Sequence, residues 1–207
     1  MATYLEFLQP RKAELFRIAA PLFAEHGYRG ATIRRLAHAC NLSPAGLYHH
    51  FGSKLGFALF PILGRAGSLQ QCHEHLRSSS PDALVRLRVL IDAGLEELPD
   101  FLLALQLAEE SGYKPRAEGA LRAIFRDAVT TLATVAREAA PGMSSARAME
   151  FVQAAIAIFL GSAVPGFDRN TVALRAQLVG LAQAYLVPAG ADPGRLEAAL
   201  GMRAPAA

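Results

Sequence analysis

Apolar residues recur three and four positions apart along most of the chain and do not settle into strict alternation, so the pattern predicts helices and no strands. In residues 9–26, Leu15, Ile18, Ala19, Leu22 and Phe23 form one stripe, and Gly27 supplies a natural stop. A second helix is expected from Thr32, whose hydroxyl can cap open backbone N–H groups, to about Cys40. A third spans Ser43 to His50, with Ser43 as its cap and Pro44 at the first helical position, where a missing N–H costs nothing. Ser53 caps a fourth, expected to continue toward Arg77. The stretch "RSSSP", residues 77–81, is the strongest break in the chain. Further helices are predicted at about 81–98, 100–111, 116–139, 144–164 and 171–187, separated by "SGYKP", "APGMS" and "VPGFDRN". The Ala-, Gly- and Pro-rich tail after Pro188 is expected to fray.

Only Asn41 and Leu42 separate the second and third helices, so these must cross steeply, with a small residue at the contact. Ala37 supplies it. Asn41 is among the few residues other than glycine that tolerate a left-handed turn. Leu36, Leu42 and Leu47 can then fill the angle against Leu22 and Phe23. These are the physical requirements of a helix-turn-helix that presents its third helix outward.

Composition and charge agree with an outward-facing head on an apolar body. The 207-residue chain is 52% hydrophobic and 19% charged, which suits a helical protein with a pocket or a subunit interface. Residues 1–54 hold seven basic and three acidic side chains, leaving the remainder close to neutral. A basic head suits an anionic partner. The longest uncharged stretch, Phe151 to Phe167, is interrupted by Gln153, Gly161, Ser162 and Pro165, too short and broken for a membrane span. Residues 1–20 show no signal-peptide pattern, and Cys40 and Cys72 make no disulfide framework, so a cytoplasmic location is expected. "CHEH", residues 72–75, puts Cys72 and His75 on one helical face, but two ligands are not a metal site. No catalytic elbow, phosphate-binding glycine loop or zinc-protease motif is present, so neither enzyme activity nor a cofactor is expected.

The stretch "FAEHGYRGATIRRLAHACNLSPAGLYHHFGSK" resembles the DNA-binding head of tetracycline-repressor-type (TetR family) transcriptional regulators. Phe23, Gly27, Thr32, Ile33, Ala37, Leu42, Ser43, Leu47, Tyr48, His50, Phe51 and Lys54 fall at the family's spacing. The resemblance covers about residues 11–60, with Asn41 standing where glycine is usual and Gly46 where Thr, Ser or Ala is common. It implies DNA contacts from Thr32, Ser43, Tyr48, His49 and Lys54. The residues themselves point the same way. Pro44, Ala45 and Gly46 are small enough for close approach to the major groove, and His49 is the polar reader of base edges. Tyr48, Lys54 and Thr32, with Arg34 and Arg35 beside it, would hold phosphates. His50 reads as a packing residue and His38 as a solvated one.

The expected architecture is all-α. Residues 1–54 form the helix-turn-helix domain, residues 55–190 a helical effector-binding and dimerisation domain, and residues 191–207 a disordered tail. Phe101, Leu102, Leu105, Gln106, Phe125 and Phe151 are candidate walls of an effector pocket, with ordinary bundle core as the alternative for each. Glu109, Glu110 and Tyr113 would add polarity at its mouth or simply end a helix. Residues 151–164 are apolar nearly all round, which makes Ile156, Phe159, Ala163, Leu174, Leu178 and Leu181 candidates for a homodimer seam. The function expected is a homodimeric regulator, a repressor released from a palindromic double-stranded operator by a small lipophilic or aromatic effector. The alternative is a helical carrier or enzyme that binds no specific DNA.

Overall fold

The computed structural model describes residues 9–64, 68–112, 114–161 and 171–201. Among these, the elements are all helical: α1 Pro10–Gly30, α2 Ile33–Ala39, α3 Pro44–Phe51, α4 Lys54–Ala58, α5 Phe60–Leu63, α6 Ser68–Ser79, α7 Ala83–Glu110, α8 Lys114–Ala139, α9 Ser145–Gly161, α10 Thr171–Leu186 and α11 Pro193–Leu200. The chain divides into two compact units. The first joins Met1–Leu69 with Glu96–Arg126; the second joins Gln70–Leu95 with Asp127–Ala207.

The first unit is built on one aromatic and aliphatic core. Leu15, Phe16, Ala19 and Phe23 of α1 pack with Leu36, Ala37, Leu47, Phe57, Phe60 and Leu107. The rings interlock: Phe51 stacks on Phe57 at 4.3 Å, and Phe23 meets Phe57 edge-on at 5.6 Å. Leu107 belongs to residues 96–126, so the head recruits part of α7 into its core and does not close at residue 54.

Three expected helix boundaries differ. The fourth helix does not run unbroken from Ser53 toward Arg77: Leu59 leaves helical geometry at φ −95°, ψ 7°, and Pro61 sits at the start of the next piece. The helices expected on either side of Pro99 are one helix, α7. A proline inside a helix costs about 3 kcal/mol, and here the flanking Leu98 and Phe101 are both buried, which offsets it. The tail expected to be disordered holds α11, opened by Asp192, whose carboxylate accepts from Arg195 N–H at 2.7 Å, with Pro193 at the first position. Its Leu196 and Leu200 are buried. In the second unit, Arg175 Nη1 pairs with Asp92, and Arg175 Nη2 donates to the Leu200 carbonyl at 3.0 Å, tying α11 down.

Candidate nucleic-acid interface

The turn between α2 and α3 is fixed by backbone chemistry. Asn41 takes φ 53°, the one positive φ outside glycine among the described residues. Leu42 N–H donates to Ala37 O at 2.8 Å and Asn41 N–H to His38 O at 3.0 Å, the paired bonds of a Schellman cap. Ala37 and Leu36 are buried beneath it, and the Cys40 thiol donates to Leu15 O at 3.4 Å. Burial pushes the Cys40 thiol up, away from thiolate chemistry.

This turn leaves one side of α3 open. Ser43, Pro44, Ala45, Tyr48 and His49 are exposed, Gly46 and His50 are half-buried, and Leu47 points into the core. Ser43 Oγ accepts from Gly46 N–H at 3.0 Å, so the cap closes as its sequence predicts. Thr32 caps α2 in the same way through Arg35 N–H at 3.4 Å, with Thr32, Arg34 and Arg35 exposed. Ser53 Oγ accepts from Gly56 N–H at 2.9 Å at the start of α4. Gly56 is required there: a Cβ on it would lie 2.2 Å from the Phe51 carbonyl oxygen.

Lys54 is the boundary of the exposed face. Its Nζ donates to Arg29 O at 3.5 Å and sits 4.6 Å from the centroid of the Tyr28 ring, a cation–π contact. Partial burial pushes Lys54 down, and burial together with Tyr48 pushes Tyr28 up.

Two roles in this head were not anticipated from the sequence. Tyr28 carries the cation–π contact. Glu110, at the end of α7, accepts from Tyr28 N–H at 2.7 Å through Oε2 and from Gln106 Nε2 at 2.9 Å through Oε1. Both bonds hold the Glu110 carboxyl below the usual range, the Tyr28 one foremost. Gly27 makes the approach possible, with φ 64° and ψ −178° breaking α1 immediately before Tyr28. The sequence signal for Tyr28 is its place directly after a helix-stopping glycine; nothing local points from Tyr28 to Glu110.

Residues 15–59 match the family model described as "Bacterial regulatory proteins, tetR family". They are a TetR-family helix-turn-helix domain. Such a domain is DNA-binding. The HTH-type transcriptional repressor KstR2 of Rhodococcus jostii (strain RHA1) is 34% identical over 88 residues, covering 42% of this chain and 43% of that protein. The HTH-type transcriptional repressor AcnR of Corynebacterium efficiens is 49% identical over 43 residues, covering 21% of this chain and 23% of that protein. The chain thus spans less than half the length of these curated relatives. In fold, the TetR-family regulator PfmR from Thermus thermophilus superposes with a TM-score of 0.56 at 22% identity, over 83% of this chain and 96% of that one. The fold of that protein, a helix-turn-helix followed by a helical body, therefore extends over most of the chain.

In the body, the residues expected to line a pocket are divided. Phe101 and Leu105 pack with Ile62, Ala104 and Ile124 in the first unit, where Leu102 and Phe125 are half-buried. Gln106 is exposed, and its amide donates to Glu110 Oε1 at 2.9 Å. Phe151 is buried in the second unit, 5.9 Å from the Tyr185 ring. Of the seam candidates, Leu174 and Leu178 are each 2% exposed within the chain, while Ile156, Phe159 and Leu181 are half-buried. Ala163 and Tyr113 lie outside the described residues, as does the side chain of Cys72. Among the described residues no group of three or more His, Cys, Asp or Glu side chains could hold a metal ion, and no helix is long and apolar enough to cross a membrane.

Proposed function

We propose that the protein is a homodimeric, cytoplasmic transcriptional repressor that leaves a palindromic operator when its body binds a small apolar effector. The observation that carries this reading is the exposed face of α3 on its Schellman turn. Small residues at Pro44, Ala45 and Gly46 permit close approach to base edges, and His49 offers ring nitrogens there. Tyr48, Thr32, Arg34 and Lys54 surround that face with phosphate-binding groups that set register without reading sequence.

A palindrome needs two heads held about one helical turn apart, roughly 34–36 Å. With Leu174 and Leu178 occupied inside the chain, the seam falls to the outer faces of α9 and α10. Met149 and Leu160 of α9 are exposed there at 39% and 41% and share a face with the half-buried Ile156, while Val172 of α10 is exposed at 73%. Exposed large apolar residues on consecutive long helices are what a subunit contact would cover. Release would be a population shift: an effector that binds more tightly to a body with the wrong head spacing weakens operator binding by that differential affinity.

The test is binding to DNA flanking the protein's own gene, against scrambled DNA, at two salt concentrations. Tight, palindrome-dependent binding is expected, with two chains per operator by mass. Weak binding equal on both DNAs, persisting after any bound small molecule is stripped, would leave a helical carrier as the better reading.

A further inference from the structure

The second unit contains a cleft of about 710 Å³ that the expected pocket residues do not line. It lies between the start of α7, the end of α8 and the turn leading into α11. Pro81, Leu84, Ala139, Pro141 and Ala191 give it apolar walls. Arg86 also lines it, although its side chain is only 4% exposed.

Arg86 is incompletely satisfied. One terminal nitrogen donates to Glu138 Oε2 and the other to Ser80 O at 3.3 Å, but the buried Nε has no partner. His73, buried at 8% exposure, likewise has an unpartnered Nε2. Burial pushes His73 down, against the pull of Glu138 and with the push of Arg86 and Arg77, so the ring is neutral near pH 7. A buried donor left unpaired costs about 1–3 kcal/mol, and more on a charged group. Arg86 thus puts on the wall of an open cleft a guanidinium that the protein leaves under-satisfied, which favours an added anion.

The charges are unevenly distributed around it. Arg77 and Arg86 share a single carboxylate: Arg77 Nη2 is 3.5 Å from Glu138 Oε1. The other two acids are engaged locally. Asp82 accepts from Leu84 N–H and from Arg195 Nη2, both at 2.9 Å, and Asp192 caps α11 through Arg195 N–H. One positive charge at the Arg77–Arg86 end is left without a carboxylate of its own.

We propose that this cleft binds a small carboxylate with an apolar body, its carboxylate held by Arg86 and Arg77 and its body against Pro81, Leu84, Ala139 and Pro141. Arginine's planar fork suits a carboxylate, and the walls suit hydrocarbon. The site does not depend on the DNA-binding reading, because its occupancy is measured without DNA.

The experiment is calorimetric titration of the full-length protein with benzoate, its neutral isostere benzamide, and inorganic phosphate. Saturable benzoate binding is expected, at least about tenfold tighter than benzamide, since a charge-assisted bond is worth about 1.5–3 kcal/mol. Arg77→Gln, at a side chain 66% exposed, should fold normally and weaken benzoate by about three- to tenfold. The paired variant Arg86→Met/Glu138→Leu, which removes both buried charges together, should abolish the preference for benzoate over benzamide. Equal affinity for benzoate and benzamide, binding of phosphate without benzoate, or unchanged benzoate affinity in Arg77→Gln would each overturn the proposal.

Discussion

Glu110 closes the break in α1: its carboxylate accepts the Tyr28 N–H at 2.7 Å, across 82 residues of sequence, one position after Gly27 turns the chain. The bond favours the ionised form, so the folded carboxyl titrates below its ordinary value. A depressed acid contributes stability above the unfolded pKa, about 4.3 for glutamate, and loses it as pH falls through the folded value. Glu110→Gln should therefore lower the urea midpoint at neutral pH. The gap to wild type should narrow progressively below about pH 4. Glu110 is exposed, so solvent screens the effect, and the gap should stay under about 1 kcal/mol. A gap that widens on acidification would contradict the assignment.

Gly27→Ala meets two obstacles that a double variant can separate. Its φ of 64° with ψ near 180° belongs to a region that is essentially glycine-only and costs about 1–3 kcal/mol otherwise. An added Cβ would also lie 2.7 Å from Glu110 Oε2. That second clash involves the far end of a flexible side chain. In a Gly27→Ala/Glu110→Ala cycle, the backbone cost should persist and only the steric share should be recovered. Chemical denaturation of all four proteins reads this directly. Full recovery in the double variant would mean that the backbone strain is negligible.

Tyr48 and Lys54 should weaken operator binding in distinguishable ways. Tyr48 is 45% exposed on α3, and Tyr48→Phe removes one hydroxyl, which at about 0.5–1.5 kcal/mol gives roughly a two- to tenfold loss. Lys54→Met removes a charge and should lower the slope of log affinity against log salt by about 1. Lys54 must first leave Arg29 O and the Tyr28 ring, so its loss should reduce affinity less than a preformed phosphate contact would. Fluorescence anisotropy at several salt concentrations separates the two, and an unchanged slope for Lys54→Met would remove Lys54 from the interface.

What could be read beforehand follows how local each determinant is. Ala37, Asn41, Ser43 and Pro44 define the turn within eight residues, and each acts on its own backbone neighbours, so spacing alone reveals them. Pro99 misleads because its cost is local while the burial that offsets it is tertiary. The "ADPGR" start of α11 carried an ordinary cap signal, Asp192 followed by Pro193, masked by the Ala- and Gly-rich composition around it. The Glu110 bond and the Arg86 cleft could not be read at all. Their partners lie on separate helices, and periodicity has no term for which distant carboxylate meets which donor.

The Arg86–Glu138 pair should be more costly to break than to replace. Arg86 is almost fully buried and Glu138 is 27% exposed, so Arg86→Met leaves a partly buried carboxylate. Removing one member of a buried pair costs about 3–5 kcal/mol, and the lower end applies because Glu138 keeps Arg77. Arg86→Met/Glu138→Leu removes both desolvation penalties and fills the volume with hydrocarbon, so it should lie within about 1 kcal/mol of wild type or above it. His73 gives a second check. With both charges gone, burial still disfavours its protonated form, so its imidazole NMR shifts should continue to report a neutral ring at pH 7. If the double variant were as unstable as Arg86→Met alone, the pair would be supplying net stability, and the unpartnered Nε would be a tolerated cost of that pairing rather than a mark of a guanidinium left for a ligand.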